Sequence, residues 1–116
     1  MTRVAVIGSG TWGTAVASLL GGKGHEVSLW THSPEVAERI NAEHRNPKHL
    51  SDIELPHTSA ISSLKDAVCG VDAIVMVVPS AYLRKTAQDM APHVPERTPV
   101  VVLSKGVEAE TGYTML

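Results

Sequence analysis

Val4-Ala5-Val6-Ile7-Gly8-Ser9-Gly10-Thr11-Trp12-Gly13 is the stretch on which the fold of this chain turns. Its first four residues form a continuous, partly β-branched apolar run. That run is too short for a buried helix and suits a strand covered on both faces. The next six residues read G-x-G-x-x-G. Gly8 allows a tight turn, Gly10 lets the backbone approach a pyrophosphate, and Gly13 lets a helix pack closely on the strand. Beyond the turn, Trp12, Ala15, Val16 and Leu19 recur at i, i+3, i+4 and i+7, which predicts an amphipathic helix with these residues as its apolar stripe. Gly21-Gly22-Lys23-Gly24 supplies its stop. The glycine pattern alone is common by chance. A strand before it and a helix after it give it the context of a dinucleotide-binding turn, with N–H groups near Thr11 and Trp12 aimed at phosphates. A plain glycine-rich turn is the alternative.

Working outward, further apolar runs at 27–30, 73–78 and 100–103 predict three more strands, and 58–61 a weaker one. Ser33-Pro34 reads as N-cap and first-turn proline of a second helix, with Glu35 near its positive end and Val36, Ala37 and Ile40 facing inward. A third helix runs from Ser62 or Ser63 to Gly70. Ser80 can cap a fourth, with Leu83, Ala87, Met90 and Ala91 as its stripe before Pro92 breaks it. Residues 45–56 are irregular, with Asn46-Pro47 as a turn signal, and 111–116 resemble the opening of another helix. The order β-α-β-α-β-α-β-α-β predicts an α/β fold, a Rossmann doubly wound parallel sheet with strand order 3-2-1-4-5.

Composition bounds the function. With 116 residues, residues 1–116 make one domain, and Lys+Arg 10 against Asp+Glu 12 gives a net charge of −2. Nucleic acid is not an expected partner, because no basic stripe is present. No apolar run approaches the roughly 20 residues needed to span a bilayer, and no signal peptide is evident, so no integral membrane segment is expected. One cysteine, Cys69, cannot form an internal disulfide and favours a reducing, cytoplasmic setting. Aromatics make up only 3%, so aliphatic side chains must build the core. Dinucleotide enzymes usually need a second domain to present the other substrate, so this length predicts part of a longer machine.

The end of the second strand bears on cofactor choice. An acid is expected there, about 20 residues beyond the glycines, to hold a ribose 2′-hydroxyl. The chain reads Leu29-Trp30-Thr31-His32-Ser33, and Glu35 lies in a helical turn where a dipole role suffices. Nothing repels a 2′-phosphate, and His32 and Ser33 can hydrogen-bond one. NADP(H) is therefore favoured over NAD(H), against the simpler account of His32 as an exposed loop residue. Lys105 follows the fifth strand, where open α/β sheets place ligands, and could hold a phosphate or polarise a carbonyl; a surface lysine is the alternative. Ser80 either lines the same region or only caps its helix. The six histidines lack metal-ligand spacing, and no metal site is expected. Cys69 reads as a small core residue, and Arg84-Lys85 as a solvated helix face.

Gly8-Ser9-Gly10-Thr11-Trp12-Gly13-Thr14-Ala15, Gly24-His25-Glu26-Val27, Leu29-Trp30, Arg45-Asn46 with His49-Leu50 and Leu55-Pro56, Val78-Pro79-Ser80, Ser104-Lys105-Gly106-Val107-Glu108 and Thr111-Gly112 occur in that order. Together they resemble bacterial NAD(P)-dependent glycerol-3-phosphate dehydrogenase over the whole chain. The resemblance implies reduction of dihydroxyacetone phosphate to sn-glycerol 3-phosphate, the precursor of phospholipid backbones. It implies cofactor contacts at Gly8, Gly10, Thr11, Trp12, Gly13, His32 and His49, the last where the family usually has an adenosine-side Tyr. Ser51 stands where the family has Pro. Lys105 would lie between cofactor and substrate. The resemblance further implies a catalytic lysine in a helical second domain outside this chain, through which a homodimer could also form. No catalytic residue is then expected in residues 1–116, which should bind cofactor without turnover. The rivals are a stand-alone dinucleotide-binding regulatory module and another dehydrogenase, of the 6-phosphogluconate or ketopantoate type.

Overall fold

A computed structural model describes residues 2–103 of the chain. Five strands, β1 (Arg3–Ile7), β2 (Glu26–Trp30), β3 (Thr58–Ile61), β4 (Ala73–Met76) and β5 (Val100–Val102), form one parallel sheet in the order β3-β2-β1-β4-β5. The expected strand order is borne out. Four helices make the crossovers, α1 (Thr11–Gly22), α2 (Pro34–Glu43), α3 (Leu64–Val68) and α4 (Ser80–Met90), and a short 3-10 turn, Ala91–His93, follows α4.

The continuous apolar run of β1 has a direct explanation in this arrangement. Successive strand side chains point to opposite faces. Val4 and Val6 join the core beneath α1 and α2, with Leu29, Ile40 and Leu55. Ala5 and Ile7 join the core beneath α3 and α4, with Val68, Ile74 and Met76. Each fully buried Ile or Leu contributes about 1.5–3 kcal/mol, so two cores clamp the central strand from both sides.

Local signals set the helix ends. Ser33 Oγ accepts from the Val36 N–H at 3.3 Å, Pro34 occupies the first turn, and α2 ends on His44 in the left-handed conformation. Ser63 Oγ accepts from the Asp66 N–H at 3.3 Å and starts α3.

The structure corrects several expectations. On α1 the buried face is Gly13, Thr14, Ala17 and Gly21, while Trp12 is 61% and Leu19 60% exposed; of the expected stripe, Val16 alone packs against the core edge. Close approach selects this face, because only small residues fit where backbone meets backbone. Cys69 is exposed, at the C-cap of α3 in an extended conformation, and not in the core. Pro79 rather than Ser80 occupies the N-cap of α4, and Ala91 lies exposed in the 3-10 turn. β4 ends at Met76, two residues early. The Val77 N–H still donates to Ile7 O at 2.8 Å, but Pro79 has no N–H with which to continue a ladder. The expected helix opening at 111–116 lies outside the described residues, as does Lys105.

Candidate functional site

The glycine turn sits at the carboxyl end of β1, between its two sheet neighbours. The Gly8 N–H donates to Trp30 O at 3.2 Å, which ties the turn to the end of β2. On the other side, a Cβ on Gly8 would lie 2.7 Å from Val77 O, and φ is +126°. Only glycine fits there. A Cβ on Gly13 would lie 1.9 Å from Gly8 O, so α1 starts pressed against the turn it leaves. Gly10 differs: a Cβ there would meet nothing within 4 Å. It occupies the N-cap of α1 with no side-chain cap, and among the described residues no acceptor meets the N–H groups of Gly10, Thr11, Trp12 or Gly13. These unmet donors lie at the positive end of a helix, where Thr11 and Trp12 are exposed and Gly13 is buried, an arrangement that suits a phosphate. The residues present fit a dinucleotide pyrophosphate.

Beyond the end of β2, Thr31 is buried and its N–H donates to Ile61 O at 3.0 Å, whereas His32 is exposed, its ring tilted against Trp30 at 6.5 Å between centroids. Glu35 is the acidic residue of the first turn of α2, as expected.

The connection between α2 and β3 folds back over the glycine turn. Thr11 Oγ1 and His49 Nδ1 share a hydrogen bond of 3.3 Å, so two expected cofactor residues, 38 positions apart, meet. Asn46 is fully buried; its Nδ2 donates to Ser9 O at 2.8 Å and to Thr14 Oγ1 at 2.9 Å, and its Oδ1 accepts from the Lys48 N–H at 2.9 Å. Thr14 Oγ1 in turn donates to Ser9 O at 3.2 Å. The sequence assigns no site role to Asn46 or Thr14; both occur there in the stretches that carry the resemblance, and Asn46 also as part of a turn signal. The far end of the connection is anchored on α1, where Ser18 Oγ donates to Glu54 O at 3.0 Å, His57 Nδ1 donates to Gly21 O at 3.0 Å, and a Cβ on Gly21 would lie 1.9 Å from Pro56 O. His49 and His57, both exposed, thus each have a specific hydrogen-bond partner. Among the described residues no group of three or more His, Cys, Asp or Glu is placed to hold a metal ion, and no helix is long and apolar enough to cross a membrane.

Residues 3–116 match the family model described as NAD-dependent glycerol-3-phosphate dehydrogenase N-terminus. The chain belongs to this family. It is 44% identical over 109 residues to glycerol-3-phosphate dehydrogenase [NAD(P)+] from Oceanobacillus iheyensis, covering 93% of this chain and 31% of that protein. The crystal structure of glycerol-3-phosphate dehydrogenase from Coxiella burnetii superposes with a TM-score of 0.83 at 30% identity, covering 97% of this chain and 38% of that one. A ketopantoate reductase from Ralstonia eutropha also superposes, with a TM-score of 0.78 at 31% identity over 91% of this chain and 35% of that one. The backbone is thus shared with a rival class, and the glycerol-3-phosphate dehydrogenase family match separates the two. The chain spans about a third of the length of the curated relatives it matches.

Proposed function

We propose that residues 1–116 form the cofactor-binding domain of a longer enzyme that reduces dihydroxyacetone phosphate to sn-glycerol 3-phosphate with NAD(P)H. The observation that carries this reading is the contrast among the three glycines: Gly8 and Gly13 are required by the fold, while Gly10 has open space beside it. A fold alone does not ask for glycine there; a close-approaching ligand does.

In this reading Gly8 and Gly13 shape the turn, and the N–H groups of Gly10, Thr11 and Trp12 hold the pyrophosphate. His49, bonded to Thr11, would contact the adenosine side, and the exposed His32 would contact the ribose. The end of β2 carries no carboxylate to bond a 2′-hydroxyl or repel a 2′-phosphate, which supports NADP(H) over NAD(H). When bound, the nicotinamide supplies the hydride for the substrate ketone. Lys105, just past β5, would contribute an ammonium to the substrate phosphate or carbonyl at the carboxyl edge of the sheet. The acid–base group and any homodimer contact are assigned to the part of the enzyme beyond this chain, and the single cysteine fits a reducing cytoplasm. Supply of glycerol 3-phosphate to phospholipid synthesis is the corresponding cellular role.

The test is oxidation of NADPH by dihydroxyacetone phosphate in the intact protein, followed by nicotinamide absorbance. Turnover that is lost in Lys105→Ala supports the reading. An intact protein that binds NADPH but leaves dihydroxyacetone phosphate untouched would sink it.

A further inference from the structure

The chain carries a fully buried polar side chain, Asn46, in a connection with no regular structure, and both of its donated bonds go to the glycine turn and the first turn of α1. Asn46 spends both Nδ2 hydrogens there, on Ser9 O and on Thr14 Oγ1, and its Oδ1 is occupied by the Lys48 N–H. Ser9 O therefore accepts from two donors at once, Asn46 and the Thr14 hydroxyl. A trans peptide is planar, and its C=O and N–H point in opposite directions. Drawing the Ser9 carbonyl toward Asn46 and Thr14 turns the N–H of the same peptide, that of Gly10, to the other side. Among the described residues no acceptor meets that N–H, and the space beside the Gly10 Cα is open.

We propose that Asn46 is a positioning residue of the cofactor site: by holding the Ser9–Gly10 peptide in one orientation it aims the Gly10 N–H at the pyrophosphate. The proposal rests on the cofactor reading above and adds to it a residue that touches no ligand. A glycine-flanked peptide is the kind that needs such a tether, because glycine lets it flip readily. With the tether, the donor is oriented before the ligand arrives, and no ordering cost is charged to binding. The bonds of Asn46 are also satisfied without any ligand, so the orientation belongs to the free protein.

The experiment compares the intact protein with Asn46→Ala, with Asn46→Asp, and with Asn41→Ala as a control. Asn46→Asp preserves shape but sets an oxygen against Ser9 O. Asn41 makes a pair of bonds to the Ala60 backbone, at 2.8 and 3.0 Å, on β3, which β2 separates from β1 and its turn. Two quantities are read. The first is NADPH and NADH affinity by calorimetry. The second is the amide shift of Gly10 at cofactor saturation in nitrogen-15 glycine-labelled protein, the peak being assigned by its loss in Gly10→Ala. Loss of one well-aimed bond to a charged group predicts affinity weaker by about tenfold in both Asn46 variants, with a smaller downfield shift of the Gly10 amide. Asn41→Ala lowers the melting temperature and moves neither quantity. If Asn46→Ala fails to fold, Asn46→Asp reads the same two quantities. Wild-type affinity in a folded Asn46 variant, or weakened affinity with an unchanged Gly10 shift, overturns the proposal and leaves the cofactor reading standing. A wild type that binds neither dinucleotide overturns both.

Discussion

Replacing Gly10 with Ala should separate ligand binding from folding. Gly10 has φ −72° and ψ −166°, which alanine adopts freely, and its added methyl meets nothing within 4 Å. Two small effects on stability oppose each other: alanine is a poorer N-cap than glycine, and it restricts the unfolded chain. Their sum stays within about 1 kcal/mol of zero. Binding responds differently. The methyl fills the space through which a phosphate oxygen must come to about 2.9 Å from the Gly10 and Thr11 nitrogens, and carbon–oxygen contact holds it beyond about 3.5 Å. Two charge-assisted bonds, at about 1.5 kcal/mol each, are then lost, so NADPH affinity falls by about 100-fold. Gly13→Ala is the counterpart. Its methyl would lie 1.9 Å from Gly8 O, both atoms fixed to backbone, so it destabilises the fold by about 3 kcal/mol or more. Calorimetric titration with NADPH and urea unfolding of the same preparations measure the two effects. If Gly10→Ala binds NADPH within about threefold of wild type, the open space at Gly10 is not the phosphate's path.

Other outcomes follow from the same geometry. His32→Asp places a carboxylate just past β2, so NADPH affinity should fall and NADH affinity rise; wild-type protein that already prefers NADH strongly in a direct comparison contradicts the 2′-phosphate argument. Gly21→Ala should cost about 3 kcal/mol through its collision with Pro56 O, whereas Gly22→Ala, with nothing within 4 Å, should gain about 0.5–1 kcal/mol; urea midpoints with unchanged slope check the pair. Leu29→Ala empties a fully buried site between β2 and α2 and should destabilise by about 2–5 kcal/mol in the same measurement. Ser33→Ala removes the cap of α2 at a cost of about 1 kcal/mol, read as a lowered melting temperature.

Much of the fold was legible because the sequence states it twice. Val4 to Ile7 announces a strand buried on both faces, and the residues alternate between the two cores as a central parallel strand must. Ser33-Pro34 and Ser63 mark helix starts by capping chemistry that is local and needs no tertiary context. The inner face of α1 departs from the periodic pattern for a reason that is also physical. Hydrophobic periodicity ranks Trp12 and Leu19 above Gly13, Thr14 and Gly21, but the helix approaches so closely that size, not hydrophobicity, selects the buried side. Cys69 departs from the core role that its residue type suggests, because its place as the C-cap of α3 leaves it exposed. In the site, the glycines and the end of β2 are local features and could be read in order. The pairing of His49 with Thr11 could be suggested only by resemblance, and the role of Asn46 not at all. Both depend on where an irregular connection returns, and a buried amide in such a connection has no periodicity to betray it.

The placement of β1 at the centre of a parallel sheet also sets an order in time. Its neighbours are β2 and β4, and the Arg3 N–H is bonded to Asp72, 69 positions later, at the start of β4. A chain made from its amino end has the glycine turn synthesised well before the surfaces that shape it, Asn46 and the backbone of Val77. Until then β1 presents a bare apolar edge, a condition that slows folding and invites association with other chains. The glycine turn thus acquires its binding-competent shape only after chain that follows it by 69 positions, from Gly8 to Val77, has been made.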